Sequence, residues 1–163
     1  KDLNVLARRS REAFFDVLMP AELESERRYG VPAAVTLAQA SLESAWAARP
    51  IGGFNIFGIK GSGPGGSVNV ETREVIKGKD IYIKDNFARF NNYYEAVSEH
   101  GKHYNNGKYD KALADYAQDG DAKRFVDTIA PTYATDPHYA WAIKKRFTDF
   151  NLLEMVEKAK HPD

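Results

Sequence analysis

Residues 40–61 of the chain read ASLESAWAARPIGGFNIFGIKG, and Gln39 stands directly before them. This stretch holds one acidic residue, Glu43, although the 163-residue chain has 23 aspartates and glutamates. Glu43 follows an apolar helical pattern and precedes a loop of glycines, aromatic residues and asparagine. Partial burial disfavours a carboxylate anion and raises its pKa, so a glutamate in such surroundings is a candidate for acid chemistry.

The pattern before the loop predicts a helix over residues 32–48. Its buried stripe recurs at helical spacing and consists of Val35, Ala38, Leu42, Ala45 and Trp46. A second stripe lies beside the first, at i, i+3, i+7 and i+10, and consists of Thr36, Gln39, Glu43 and Trp46. We therefore expect Glu43 at the edge of the buried face, among polar and aromatic neighbours.

Residues 68–84 alternate between apolar and polar types, which predicts a β-hairpin with its turn at Lys77-Gly78-Lys79. Residues at even positions from Val68 to Ile76 share one face. Glu74 falls on this otherwise largely apolar face and is a candidate for a second functional carboxylate. Glu71 and Glu95 compete with it for that role.

The rest of the chain is predicted to be helical, apart from a loop over 49–67. The expected helical segments are residues 2–29 with a kink or break at Pro20, a helix capped by Asn92, a short one at 109–116, one capped by Asp121, and one starting at Asp136-Pro137. We thus expect one α+β, mostly α-helical domain over residues 1–153. Residues 154–163 are expected to form a fraying tail.

The composition narrows the possible functions. Lysine and arginine together number 23 and balance the acidic residues, which argues against a nucleic-acid partner. The chain has no cysteine, and its close histidine pair, His100 and His103, lacks a nearby third ligand, so no metal site is predicted. No apolar run approaches the roughly 20 residues that span a bilayer. Because the chain begins with Lys1, we expect it to be a domain of a larger protein.

Two carboxyl groups across a cleft are what glycosidic bond cleavage requires. One must be protonated, to give its proton to the leaving oxygen, and partial burial at a helix end suits Glu43 for that role. The other must stay ionised, to activate water or to stabilise positive charge on the sugar carbon. A hairpin close to solvent suits Glu74 for this second role.

Several motifs together resemble the bacterial glucosaminidase domains, family 73 of the glycoside hydrolases, which occur in flagellar peptidoglycan hydrolases and autolysins. The similar segments, in order, are AQASLESAWA (38–47), FNIFGIKG (54–61), VETREVIKG (70–78), FARFNNYYEAVSEH (87–100) and YATDPHYAWAI (133–143). The resemblance covers roughly residues 32–150. It implies a lysozyme-like domain with a small β-hairpin lining a cleft.

The resemblance also implies roles for individual residues. Glu43 would be the general acid, Glu74 the second carboxylate, and Tyr133 a residue facing the reacting sugar. In this interpretation Tyr133 is held between Pro131, which forbids a continuing helix, and the helix starting at Asp136-Pro137. The implied substrate-binding residues are Gln39, Trp46, Asn55, Phe57 and Tyr139, although Trp46 and Tyr139 fit core packing equally well.

One departure from the family pattern concerns the segment after the acid. The family usually has Glu-Ser-Gly-Trp-Gly where this chain has Glu43-Ser44-Ala45-Trp46-Ala47. Alanine suits a helix, so we expect the helix to run one turn further.

The resemblance implies a peptidoglycan hydrolase that cleaves β-1,4-glycosidic bonds, acts in the bacterial periplasm or cell wall, is bacteriolytic and needs no cofactor. An N-acetylglucosaminidase is favoured, with a muramidase or a lytic transglycosylase as alternatives on the same polymer. A non-catalytic wall-binding module and a scaffold in a larger assembly are the alternatives of other classes.

Overall fold

The computed structural model describes residues 2–162, and it is mostly helical with one two-stranded antiparallel sheet. The elements are α1 (Leu3–Arg9), α2 (Arg11–Tyr29), α3 (Ala33–Glu43), β1 (Ser67–Ile76), β2 (Lys79–Ala88), α4 (Tyr93–His103), α5 (Asp110–Asp119), α6 (Ala122–Tyr133), α7 (Tyr139–Phe150) and α8 (Leu152–Lys160). The predicted α+β, mostly α-helical class is confirmed. None of the helices described between residues 2 and 162 combines the length and apolar character needed to cross a bilayer.

Helix α3 is the central element of the core. Every residue from 33 to 41 is buried, and α2, α6, α7 and α8 pack around it. Its first turn is fixed by Glu26, whose Oε1 accepts the Ala33 N–H at 2.7 Å, while Lys160 pairs with Glu26 Oε2 at 2.6 Å. Because the helix is held in this way, Glu43 at its last position has a well-defined place.

The chain leaves the helix at Glu43, so the prediction that alanines would extend it is wrong. Ala45, Trp46 and Ala47 have φ values of 51°, 58° and 64°, which is left-handed backbone. Ser44 links the helix to this turn, because its hydroxyl donates to the Ala40 carbonyl at 2.6 Å and accepts the Ala47 N–H at 2.9 Å. The glycines of the family pattern stand at two of these three positions.

Replacing Ala45 by glycine is therefore expected to stabilise the domain. Left-handed backbone costs an L-residue roughly 1–2 kcal/mol, and glycine avoids this cost. We expect Ala45→Gly to raise the free energy of unfolding by up to about 1 kcal/mol in urea titrations, after its own chain entropy is offset. Ala48→Gly is the matched control, because Ala48 is exposed and outside the left-handed turn, and it should be neutral or destabilising. A destabilised Ala45→Gly would contradict this account of the turn.

The predicted hairpin is confirmed, with Lys77 and Gly78 in its turn; Lys79, which was expected in the turn, is the first residue of β2. Lys77 and Gly78 both have positive φ, 52° and 77°, as a two-residue hairpin turn requires. Glu74 lies opposite Ile81 and Thr72 lies opposite Ile83, so these side chains share one face, as predicted. The strands extend beyond the predicted residues 68–84, to Ser67 and Ala88.

The two prolines expected to interrupt helices do not do so. The break between α1 and α2 lies at Ser10, whose backbone is extended and whose hydroxyl caps α2 by accepting the Ala13 N–H. Pro20 lies inside α2 and Pro131 inside α6, which runs on to Tyr133. Each proline removes one helical hydrogen bond, and both are exposed, so water can satisfy the freed carbonyl.

The helix starts predicted from capping residues agree with the structure better than the helix breaks predicted from prolines. Asn92 accepts the Glu95 N–H at 2.9 Å and Asp121 accepts the Arg124 N–H at 3.0 Å, as predicted. Asp136 instead accepts the His138 N–H at 2.8 Å, in the turn before α7. Helix α7 therefore begins at Tyr139, two residues after Pro137.

The prediction of a fraying tail over residues 154–163 is wrong for most of that segment. Asn151 adopts left-handed backbone and links the end of α7 to the start of α8. Leu152 and Val156 are buried against the core, and Lys160 forms the ion pair with Glu26. This C-terminal helix thus supports the residue that fixes the start of α3.

One acidic residue of α2 is fully buried and forms no ion pair among the described residues. Glu22 of α2 is 0% exposed, and neither carboxyl oxygen has a hydrogen-bond partner among the described residues. The neighbouring Thr36 hydroxyl donates to the Ala33 carbonyl at 3.1 Å instead. Burial raises the pKa of Glu22 to about 8, with a small opposing effect from Thr36.

Candidate active site

Glu43 and Glu74 line the same cleft, a cavity of about 310 Å³ between the end of α3, the loop that follows it and the hairpin. Glu71 lies on the opposite face of β1, across from Lys84. The Glu95 carboxylate forms a hydrogen bond at the start of α4, where its Oε1 accepts the Asn91 N–H at 2.8 Å. Of the three candidates for the second carboxylate, Glu74 is thus the one that faces Glu43.

Two tyrosine hydroxyls hold the Glu43 carboxyl group. Tyr133, the last residue of α6, donates to Oε2 at 3.0 Å, and Tyr139, the first residue of α7, donates to the same oxygen at 3.1 Å. Oε1 has only the longer 3.3 Å contact with Tyr133. An oxygen that accepts two hydrogen bonds is a poor place for a proton, so the acidic proton belongs on Oε1.

This environment favours the neutral form of Glu43. Protein atoms crowd the carboxyl group, and this desolvation raises the pKa of Glu43 to about 8, while the two hydroxyls offset part of the rise. The side chain is also exposed on the cleft side, and solvent contact there moderates the rise. A large fraction of Glu43 is consequently protonated near neutral pH, as a general acid needs.

Glu74 stands in a different environment. It is exposed near the turn end of β1, with Thr72 beside it on the cleft face. Water can therefore hydrate its negative charge without a large desolvation cost. The cleft thus combines one carboxyl group surrounded by protein with one carboxylate in contact with solvent.

Asn55 and Phe57 shape the wall of the cleft. All hydrogen-bonding groups of the Asn55 amide are used internally: Nδ2 donates to the Ile59 and Ala88 carbonyls, both at 2.9 Å, and Oδ1 accepts from the Phe57 and Ile59 N–H groups. Asn55 therefore ties the loop to the end of β2. Phe57 is buried and stacks on His100, with ring centroids 3.8 Å apart.

Gln39 and Trp46, two of the predicted substrate-binding residues, do not reach the cleft. Gln39 is 0% exposed, and its Oε1 accepts from the Tyr104 hydroxyl at 2.9 Å. Trp46 packs edge-on against three phenylalanines, and the guanidinium groups of two arginines lie over its ring: Phe14, Phe15, Phe150, Arg11 and Arg146. Core packing accounts for both residues.

Tyr139 joins the site through its hydroxyl and not by stacking on a sugar. Its side chain is 7% exposed, so its ring has little surface to offer a ligand. One residue of the site was not predicted from the sequence: His100, whose Nε2 lies 3.0 Å from the Tyr133 hydroxyl. The position of His100 in the α4 pattern indicated only a packed side chain. Its partner Tyr133 is 33 residues away in the sequence, so no local pattern could indicate the contact.

Within residues 2–162, no group of three or more histidine, cysteine, aspartate or glutamate side chains is arranged to hold a metal ion. The arrangement combines a carboxyl group whose pKa is raised by desolvation, a solvent-exposed glutamate across the same cleft, and a mostly helical domain with a small hairpin. These features define the class of lysozyme-like glycosidases.

The chain belongs to the glucosaminidase family, described as mannosyl-glycoprotein endo-beta-N-acetylglucosaminidase, which matches residues 19–152. It is 32% identical over 155 residues to the exo-glucosaminidase LytG of Bacillus subtilis (strain 168), covering 90% of this chain and 54% of LytG. It is 35% identical over 131 residues to the peptidoglycan hydrolase FlgJ of Escherichia coli (strain K12), covering 75% of this chain and 41% of FlgJ. The chain thus spans about half the length of these curated relatives, or less.

Among solved structures, the chain is similar to the catalytic domain of the autolysin Auto from Listeria monocytogenes. The TM-score is 0.76 at 28% identity, covering 88% of this chain and 85% of that domain. The predicted lysozyme-like fold is confirmed by this similarity. Family membership identifies the domain as a glycoside hydrolase.

Proposed function

We propose that this domain hydrolyses β-1,4-glycosidic bonds in the glycan strands of peptidoglycan, on the reducing side of N-acetylglucosamine. The observation that carries the proposal is the Glu43 carboxyl group, held by Tyr133 and Tyr139 and facing Glu74 across one cleft. The names of LytG and FlgJ support the polymer and the bond.

In the proposed reaction, the Oε1 proton of Glu43 passes to the glycosidic oxygen as the bond from that oxygen to the anomeric carbon breaks. The bonding electron pair leaves with the oxygen, and positive charge develops on the sugar carbon. Glu43 becomes an anion at this moment, and the hydroxyls of Tyr133 and Tyr139 already point at the oxygen that shares the new charge. They therefore stabilise the product state of the proton transfer.

Glu74 has one of two roles in the second half of the reaction. As a general base it activates the water that attacks the anomeric carbon. If the N-acetyl group of the substrate attacks first, Glu74 orients that group by its negative charge. Both roles require the carboxylate to stay ionised on the cleft face of β1.

We further propose that the domain acts in the bacterial periplasm or cell wall, as part of a larger, bacteriolytic protein. The greater length of LytG and FlgJ supports a multidomain parent. The substrate itself supports the location, because peptidoglycan lies outside the inner membrane.

Glu74→Gln is expected to lower kcat on purified sacculi about ten-fold or more, because the amide keeps the shape but removes the charge. Glu71→Gln is the matched control, since Glu71 lies three residues away on the opposite face of the same strand. It should keep near wild-type kcat on the same purified sacculi. Equal losses in the two variants would exclude Glu74 as the second carboxylate.

The proposal as a whole is tested by incubating the domain with insoluble peptidoglycan and assaying new reducing ends. A hydrolase creates one reducing end per bond cut, and we expect these to accumulate. A lytic transglycosylase would release anhydro-sugars without new reducing ends. A wall-binding module would sediment with the polymer and release nothing, and either outcome would overturn the proposal.

A further inference from the structure

The Tyr133 hydroxyl lies between two possible acceptors. Its oxygen is 3.0 Å from Glu43 Oε2 and 3.0 Å from His100 Nε2. A phenol has one hydrogen, so it can donate to only one of them. If that hydrogen points to Glu43, His100 Nε2 must carry a hydrogen and donate to the Tyr133 oxygen.

The surroundings of His100 keep its imidazole neutral. The side chain is 4% exposed and is covered by Phe57, whose ring is nearly parallel at 8°. Burial lowers the pKa of His100 to about 3, and the charge of nearby His103 acts in the same direction. A neutral imidazole carries one N–H, on either Nδ1 or Nε2.

Hydrogen-bond satisfaction decides between the two tautomers. Nδ1 is buried and has no partner among residues 2–162. A hydrogen on Nδ1 would be an orphaned buried donor, whereas a hydrogen on Nε2 has the Tyr133 oxygen at 3.0 Å. The Nε2–H tautomer is therefore favoured, and it forms a directed chain from His100 through Tyr133 to Glu43.

We infer that His100 is a positioning residue that directs the single Tyr133 hydroxyl hydrogen onto Glu43 Oε2 and so keeps the acidic proton on Oε1. This inference rests on the proposed roles of Glu43 and Tyr133. Without the Nε2–H donor, the Tyr133 hydroxyl can rotate away from Glu43, and the proton is no longer confined to one oxygen. Phe57 contributes by holding the imidazole plane.

A double-mutant cycle tests this coupling. His100→Phe keeps an aromatic ring on Phe57 and removes the Nε2–H donor. We expect it to lower kcat about ten-fold on sacculi, with KM changed less than about two-fold, because substrate contacts stay intact. In a Tyr133→Phe background, His100→Phe should cost nothing further, because the group through which it acts is already gone.

Two further variants serve as controls. His100→Gln keeps an N–H donor near the same place and should recover part of the activity lost in His100→Phe. His161→Phe makes the same substitution at an exposed site near the chain end and should behave as wild type. A His100→Phe loss of the same size with and without the Tyr133 hydroxyl would overturn the inference.

The tautomer itself is measurable without any activity assay. ¹⁵N–¹H correlation spectra of the wild-type domain should show His100 protonated on Nε2 and bare on Nδ1, unchanged across the neutral pH range. Protonation on Nδ1 would overturn the inference even if the domain cleaves peptidoglycan. Conversely, if the wild-type domain released no new reducing ends from peptidoglycan, the proposed function would fail, while these spectra would still report the direction of the hydrogen bond. If His100→Phe does not fold, the spectra of the wild-type domain still determine which nitrogen of His100 carries the hydrogen.

Discussion

Glu43→Gln is expected to lower kcat on purified sacculi about 10²–10⁴-fold, the usual cost of losing a positioned general acid. Glutamine keeps the shape and can accept from Tyr133 and Tyr139, but it cannot give up a proton. Because the wild-type carboxyl group is partly desolvated, the variant should be at least as stable as wild type in thermal unfolding. Sedimentation with insoluble peptidoglycan should still show binding.

The pH profile of the wild-type domain provides a further check on Glu43. The acid must be protonated in the free enzyme, so kcat/KM should fall as pH rises through about 8. Glu12→Gln is a suitable control, because Glu12 is an exposed glutamate in α2, and it should leave turnover unchanged. Near wild-type turnover in Glu43→Gln, with normal melting, would show that another group donates the proton.

Glu22→Gln is expected to stabilise the domain at neutral pH. Glu22 has a pKa of about 8 when folded, against its ordinary value of 4.5, so only the unfolded chain ionises between these two values. The contribution of Glu22 to stability is therefore fully present below about pH 4.5, is lost as pH rises to about 8, and does not change further above that. At pH 7 this ionisation lowers the free energy of unfolding by on the order of 3 kcal/mol.

Glutamine cannot ionise, so the variant should escape this loss. We expect a melting temperature about 5–10 °C above wild type at pH 7 and little difference at pH 4, measured by calorimetry. Asp16→Asn, an exposed acidic position in the same helix, should show no such pH-dependent gain. A constant offset between Glu22→Gln and wild type from pH 4 to pH 8 would contradict the buried-acid account.

The parts of the fold that local chemistry encodes were predictable. The alternation of residues 68–84 and the turn around Lys77-Gly78 were enough to predict the hairpin and the face on which Glu74 lies. Asn92 and Asp121 were recognisable because a cap involves residues only three apart. The end of α3 was not predictable, because Ala45 and Ala47 favour a helix and adopt left-handed backbone only in the context of Ser44 and the packed Trp46.

The residues of the candidate site also divide into those that a local pattern identifies and those whose environment is set by distant parts of the chain. Glu43 and Glu74 stood out because each is an acid on a mainly apolar face, and the family resemblance supported both. Gln39 and Trp46 lay on the same stripe as Glu43, but a stripe does not reveal which neighbour covers it. Tyr104 covers Gln39, and Phe14 and Phe150 pack against Trp46. These partners lie in distant parts of the chain.

Mass spectrometry of the muropeptides released from purified sacculi tests the central claim most directly. The wild-type domain is predicted to leave N-acetylglucosamine at the new reducing ends, and Glu43→Gln is predicted to release almost none of these products. N-acetylmuramic acid at the reducing ends would identify a muramidase, and anhydro-muramic ends would identify a lytic transglycosylase. Either result, or equal product release by the wild type and Glu43→Gln, would contradict the account.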